Sequence, residues 1–171
     1  GVASSFDVHL RHHDGSTRLV VATLTTPGLN WGDNIVLNVH DITTQRDLES
    51  QLRHDARHDA LTGLLNRRAL LDNPEEIAPT GTAVVMMDLD YFKTINDRFG
   101  HDSGDRILMA FADVIHANIR SNDLAARMGG EEFCIIMPDS NLKSSAVVAD
   151  RIRSQIEMTS IQTTSGPIRA T

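Results

Sequence analysis

An α+β fold, an antiparallel sheet carrying helices on one face, is predicted for most of this 171-residue chain. Three observations predict it. Residues 82–89 form a short, almost wholly apolar run of strand length; residues 104–120 and 142–157 repeat apolar side chains at helical spacing; residues 124–128 and 133–137 are strand-like and flank a Gly-Gly turn. In order these give strand, helix, hairpin and helix, with a last strand beginning at Ile168. That order lets the exit of the first strand lie beside the hairpin tip.

Residues 1–44 read as β structure. Phe6, Val8 and Leu10 alternate with Asp7, His9 and Arg11, Asp14-Gly15 signals a turn, and residues 19–25 and 35–40 are rich in Val, Ile, Leu and Thr. Such strands cannot cover their own apolar face, so the start of this domain is expected to lie outside the chain. His9 and His13 are expected on one strand face, either as surface residues or as metal ligands. No cysteine joins them and no second ligand pair follows at zinc spacing, which favours the surface reading.

From Asp41 the spacing becomes helical. Thr44 and Asp47 are placed as a capping box, and Leu48, Leu52 and Ala56 recur every four residues among charged neighbours. So narrow a stripe over residues 45–58 suits either a dimeric coiled-coil connector or a solvated linker helix. Residues 59–68 break this helix at Gly63 and start another near Asn66, Arg67 and Arg68, which the 74–81 stretch ends. Arginines at a helix start oppose its dipole, and Asp59 is the expected anionic partner.

The 82–89 run is expected to be buried on both faces and to emerge at Asp88-Leu89-Asp90. Residues 91–105 read as a polar loop. An amphipathic helix follows from about Gly104 to Arg120 through Ile107, Leu108, Phe111, Val114, Ile115 and Ile119. Pro138 stops the second hairpin strand, and helical spacing resumes through Ala146, Ala149, Ile152 and Ile156.

With 40% hydrophobic and 23% charged residues the composition is that of a folded globular protein. A net charge of −7 leaves no broad basic face, which excludes sequence-independent binding to DNA or RNA. Cys134 is the only cysteine, so no internal disulfide forms, and its apolar neighbours predict a buried, inert thiol in a reducing compartment. No apolar run approaches the roughly 18 residues that cross a bilayer, so membrane association would come from segments upstream.

The chemistry concentrates around Arg127-Met128-Gly129-Gly130-Glu131-Glu132-Phe133. Two glycines allow a close backbone approach and two carboxylates follow at once. Alone this is either an acidic solvent-facing hairpin or a site for a hard cation such as Mg²⁺. The topology would bring Asp88 towards Glu131, and two converging carboxylates repel unless a cation sits between them. Lys93 could meet a phosphate as a point charge. Asn96 and Asp105 offer what a guanine edge asks for, an amide that donates and accepts and a carboxylate that accepts.

The Gly-Gly-Glu-Glu-Phe signature, preceded by residues 87–97 (Met-Asp-Leu-Asp-Tyr-Phe-Lys-Thr-Ile-Asn-Asp) and by the 59–68 segment, closely resembles the GGDEF family of diguanylate cyclases. The resemblance covers residues 59–171. It implies a sheet similar to the palm of class III nucleotidyl cyclases and condensation of two GTP into cyclic di-GMP and pyrophosphate in a homodimer. It further implies that Asp88, the Leu89 carbonyl and Glu131 hold Mg²⁺ (or Mn²⁺) with Glu132 close by. Glu131 would assist deprotonation of the attacking 3′-hydroxyl, and Lys93 with the backbone at Tyr91 and Phe92 would meet the triphosphate. Asn96, His101 and Asp105 would line the guanine pocket beside Gly129 and Gly130. Glu131 stands where the family name has aspartate, and both are carboxylates.

Arg120 and Asp123 match the RxxD site at which that family binds inhibitory cyclic di-GMP; otherwise they are a helix-terminal arginine and the start of a strand. Residues 1–44 resemble the C-terminal half of a PAS sensor domain, joined by the linker helix. The resemblance implies a cytoplasmic domain dimerising through that helix and the GGDEF faces. The family continues with a further strand and a helix carrying basic phosphate contacts, and the strand would flank residues 82–89. The alternative is a catalytically inactive module that binds GTP or cyclic di-GMP for signalling.

Overall fold

The structure is a computed structural model that describes residues 3–25, 35–72, 81–163 and 166–170. It divides into two compact units, Gly1–His54 and Asp55–Thr171.

In the first unit β1 (Ala3–Arg11), β2 (Thr17–Thr25) and β3 (Val36–Asp41) form an antiparallel sheet with β2 in the middle. The Asp14-Gly15 signal is the β1–β2 turn, with Gly15 at φ +88° donating its N–H to the His12 carbonyl at 3.0 Å. His13 lies in this turn beyond β1, so it does not share a strand face with His9 as the alternation suggested; its ring is tilted against that of His12, the centroids 4.1 Å apart. Val20 and Ala22 are buried, whereas Phe6, Leu10, Leu37 and Val39 are exposed.

Helix α1 (Thr43–Arg57) begins one residue before the proposed Thr44–Asp47 box. The Asp41 carboxylate accepts the Thr43 N–H at 2.9 Å, and the Thr43 hydroxyl accepts the Leu19 N–H at 2.8 Å. The strand end thus starts the helix, an arrangement that a local capping pattern does not display. Leu48 and Leu52 remain 56% and 67% exposed, as an unpartnered stripe would be.

In the second unit the order is β4 (Leu65–Asn66), α2 (Arg67–Leu71), β5 (Ala83–Asp88), α3 (Phe92–Phe99), α4 (His101–Asn118), β6 (Leu124–Gly129), β7 (Glu132–Met137), α5 (Leu142–Met158), β8 (Ile161–Thr163) and β9 (Gly166–Ile168). The sheet runs β4-β6-β7-β5. It is antiparallel except that β4 pairs parallel with β6, through Leu65 opposite Ala126 and Asn66 opposite Arg127.

β7 is the strand buried on both faces. Phe133, Ile135 and Met137 join Ile107, Phe111 and Ile115 of α4 and Ile152 and Ile156 of α5 in the main core, where Phe111 meets Phe133 edge to face at 4.8 Å. Each such side chain stabilises the fold by about 1.5–3 kcal/mol. Cys134 and Ile136 point the other way, packing with Leu70 and Ala126. α2 therefore contributes to the face opposite α4 and α5, and helices are not confined to one side.

Three sequence expectations change. β5 is not buried on both faces: Val84 and Met86 are 57% and 58% exposed while Val85 and Met87 pack on the core, because only one face of this edge strand carries helices. Residues 91–105 are largely helical, with α3 and the start of α4 meeting at Gly100, φ +83°. α3 buries little beyond Phe92, and the first turn of α4 is polar or small, so apolar spacing alone placed the helix start at Gly104. Finally, β9 ends rather than begins at Ile168 and pairs with β8 in a separate hairpin. The predicted stop at 74–81 lies outside the described residues apart from Gly81.

At α2 the Asn66 side chain accepts the Ala69 N–H at 2.8 Å, a sound N-cap. Arg68 is paired with Asp72 at 4.0 Å, not with Asp59. Cys134 is buried as expected, and that burial pushes its thiol pKa up, keeping it protonated and inert.

Candidate active site

The hairpin tip is built by β6 and β7. Arg127 faces Phe133 and Gly129 faces Glu132, so Met128 is an extra residue on β6, a bulge that re-aims the chain at the tip. Gly129 and Gly130 take φ of +144° and +52°, a backbone path that side chains other than glycine rarely follow.

Arg127 fixes this tip. Its Nε and Nη2 donate to the Gly130 carbonyl at 3.0 and 2.8 Å, while its Nη1 donates to the Asp59 carboxylate at 3.2 and 3.3 Å. Asp59 also accepts the N–H and hydroxyl of Thr62 at 2.9 and 2.7 Å, within a loop closed by the Asp59 N–H to the Leu64 carbonyl. Burial raises the pKa of Asp59, but the Thr62 and Arg127 hydrogen bonds outweigh it and hold the carboxyl below its ordinary value. The 59–68 motif and the glycine signature are therefore joined by one guanidinium.

Across the sheet Asp88 is the last residue of β5 and pairs with Glu132. Partial desolvation and then the Glu131 and Asp90 carboxylates raise the Asp88 pKa, which shows acid groups gathering at this end. The Leu89 side chain is buried and its carbonyl accepts a long 3.4 Å bond from the Phe92 N–H. Tyr91 turns the chain into α3 with φ +57°, a left-handed conformation uncommon for a bulky residue, and the residue is 82% exposed. The first turn of α3 that follows presents backbone N–H groups without intrahelical partners.

Between α3 and the tip lies a cleft of about 450 Å³ lined by Phe92, Lys93, Asn96, His101, Gly130 and Glu131. The Asn96 Oδ1 is buried and has no hydrogen-bond partner among the described residues. Asp105 is exposed one turn further along α4, and neither it nor Glu132, Tyr91 or Gly129 lines this cleft. Tyr91 instead borders a neighbouring cleft with Asp90, Ile95 and Arg169.

Among the described residues no three His, Cys, Asp or Glu side chains form a ready-made metal cage. The donors at the sheet end nevertheless suit Mg²⁺, which usually takes one or two carboxylates and completes its octahedron with water and substrate phosphates.

A second candidate site follows α4. The buried Asp123 accepts the Arg120 N–H at 2.8 Å through Oδ2, while its Oδ1 is buried without a partner among the described residues. Arg120 and Asp123 line a cleft of about 390 Å³ with His58, Leu64, His116 and Ser121. The end of α4 is clamped by Arg151, whose Nε and Nη2 donate to Asn118 Oδ1 and to its carbonyl at 2.7 and 2.6 Å.

Residues 56–171 match the family described as "Diguanylate cyclase, GGDEF domain". The chain belongs to this GGDEF family. It is 42% identical over 155 residues to diguanylate cyclase DgcM of Escherichia coli, an alignment covering 86% of this chain and 38% of that protein. Among solved structures, the coiled coil and GGDEF domain of DgcB from Caulobacter crescentus, in complex with cyclic di-GMP, superposes with a TM-score of 0.69 at 28% identity, covering 76% of this chain and 74% of that one. Diguanylate cyclase SiaD of Pseudomonas aeruginosa, in complex with its activator SiaC, gives 0.65 at 34% identity over 75% of this chain and 52% of that one. The family match begins at residue 56, after the three-stranded sheet and most of α1.

Two residues packed against members of this candidate site, Arg127 and Gly104, are not singled out by the sequence. Arg127 precedes the glycines as an ordinary strand residue, and nothing in residue type or spacing marks it as the tie to Asp59. Gly104 sits in a helix where nothing local requires glycine, and that mismatch was its signal.

Proposed function

We propose that this GGDEF domain is the catalytic part of a diguanylate cyclase that joins two GTP into cyclic di-GMP. The observation that carries the reading is the placement of Glu131 beside Asp88 at one sheet end, at the mouth of a cleft walled by Lys93 and Asn96. Asn96 and His101, which line the cleft, receive the guanine edge, and Asp105, exposed one turn further along α4 and outside the cleft lining, is proposed to reach it from the side. Lys93 and the open N–H groups of α3 hold the triphosphate, and Tyr91, Phe92, Gly129 and Gly130 shape the backbone around it.

Asp88, the Leu89 carbonyl and Glu131 are the residues that would hold Mg²⁺, or Mn²⁺ in its place, with Glu132 adjacent. The ion supplies charge neutralisation at the α-phosphate and the leaving pyrophosphate. Glu131 takes the proton of the 3′-hydroxyl as its oxygen bonds to the α-phosphorus of the second GTP and the bond to pyrophosphate breaks. Each protomer holds one GTP, so the reaction needs two such sites face to face in a homodimer, to which the exposed Leu48 and Leu52 stripe of α1 contributes.

Arg120 and Asp123 are proposed as the inhibitory site for cyclic di-GMP, Arg120 as an exposed residue and Asp123 with a buried Oδ1 that has no partner among the described residues. The three-stranded sheet of residues 1–44 is proposed as part of a PAS-like sensor and α1 as its signalling helix. The domain is proposed to act in the cytoplasm, and no helix among the described residues is long and apolar enough to cross a membrane.

The test is incubation of the full protein with GTP and Mg²⁺. Cyclic di-GMP and pyrophosphate are expected, and Glu131→Gln should lower turnover by about 10²-fold or more with an unchanged circular dichroism spectrum. No product from a demonstrated dimer would refute the proposal.

A further inference from the structure

Gly104 lies inside α4, and it is not among the glycines with positive φ. Its backbone therefore does not require glycine. A helix interior disfavours glycine more than any residue except proline, so the position needs another explanation. Space supplies it. A Cβ built at Gly104 would overlap Asn96 Oδ1 and stand 3.0 Å from Asn96 Cγ and 3.1 Å from Phe92 Cζ.

The group in the way is the end of a flexible side chain, while the aromatic ring beyond it is buried and needs to yield only slightly. An added methyl at residue 104 is most easily accommodated by turning the Asn96 carboxamide out of its seat, with α3 and α4 staying packed. That carboxamide is part of the wall of the Lys93–Glu131 cleft, and its Oδ1 is buried with no partner among the described residues. Because Oδ1 is the atom that abuts Gly104, the empty space at residue 104 fixes how the carboxamide is turned at the cleft wall.

We infer that Gly104 is a positioning residue for Asn96: the missing side chain at 104 seats the carboxamide at the cleft wall and so sets nucleotide affinity and base selectivity. The inference rests on the GTP-binding reading of this cleft and adds to it a residue that never touches the nucleotide. Nothing about catalysis at the phosphate depends on it. Its effect belongs in KM and in the choice of base, with kcat for bound substrate little changed.

The experiment is a double-mutant cycle in the full protein, using Gly104→Ala, Asn96→Ala and the two together. Each variant is titrated with a non-hydrolysable GTP analogue and with the matching inosine and adenosine analogues, and its melting temperature is recorded. Gly104→Ala is expected to weaken binding of the GTP analogue by about tenfold, the loss of roughly one hydrogen bond, and to shift base preference in the same direction as Asn96→Ala. In the Asn96→Ala background the added methyl has room, so the second substitution should change affinity by less than about twofold.

Equal penalties in the two backgrounds, or wild-type affinity in a folded Gly104→Ala protein, would overturn the inference. If Gly104→Ala fails to fold, the double variant decides: refolding with the affinity of Asn96→Ala supports the inference, and failure of both shows that Gly104 serves helix packing and overturns it. A wild type that binds no guanine nucleotide overturns the proposed function and this inference together, whereas normal wild-type binding with additive mutants overturns the inference alone.

Discussion

Replacing Arg127 by methionine keeps the apolar stem and removes the guanidinium that ties the hairpin tip to the Asp59 loop. Truncating one partner of a fully buried ion pair costs about 3–5 kcal/mol, and truncating an exposed one about 0–1 kcal/mol. This pair lies between, with side-chain exposures of 16% for Arg127 and 25% for Asp59. Asp59 keeps both bonds from Thr62, but the Gly130 carbonyl loses its two from Arg127. About 2 kcal/mol follows, which lowers the melting temperature of a domain of this size by about 6–10 °C.

The effect on turnover should exceed the effect on stability, because Glu131 follows directly on the carbonyl that Arg127 holds. Calorimetry and initial-rate measurements on Arg127→Met, Asp59→Asn and the double variant give a complete cycle. A coupling energy of at least about 1 kcal/mol is expected for groups in direct contact. Additive melting shifts would refute the bridge, and a wild-type rate in Arg127→Met at a temperature where it is folded would refute the tether.

Two further outcomes are expected. Because Asp59 is ionised to lower pH in the folded state than in the unfolded one, it stabilises the fold above its unfolded pKa of about 3.9 and loses that contribution as pH falls through the folded value; urea melts of wild type and Asp59→Asn should therefore differ by a constant amount at neutral pH and converge below about pH 4, and a gap undiminished in acid would contradict this. Arg120→Ala should relieve inhibition by added cyclic di-GMP without lowering the initial rate, and equal inhibition in mutant and wild type would remove Arg120 from the regulatory site.

What was legible in the sequence was what a short period encodes. The β6–β7 hairpin and the apolar faces of α4 and α5 follow from alternation and from spacing of three and four, and the glycines marked the tip. Position within the sheet was not legible. The almost wholly apolar run at 82–89 reads as a strand buried on both faces, yet the strand with both faces covered is β7, because coverage depends on which elements pack there and not on the strand itself. α3 was read as a loop because a short helix on the surface needs only Phe92 and a half-covered Ile95 to dock. The parallel pairing of β4 with β6 rests on two residues, too few to leave any periodicity.

The candidate site divides along the same line. Residues with distinctive chemistry, Asp88, Lys93, Asn96 and Glu131, could be named from type and spacing. The residues that place them could not, because Asp59 and Arg127 are 68 positions apart and look unremarkable alone. Asp59 was even assigned a partner, the arginines of α2, on a sound dipole argument; Asn66 had already satisfied that helix end, which left the carboxylate available. The consequence is physical. A tip with two glycines in unusual conformations has many alternative paths, and restricting each residue to one costs about 1–2 kcal/mol. A Cβ built at Gly129 or Gly130 would meet nothing within 4 Å, so close packing around the two glycines does not offset this. The four hydrogen bonds of Arg127, anchored in turn by Thr62, are what can. The geometry of Glu131 is therefore a property of the loop at residues 59–64 as much as of the signature that contains it.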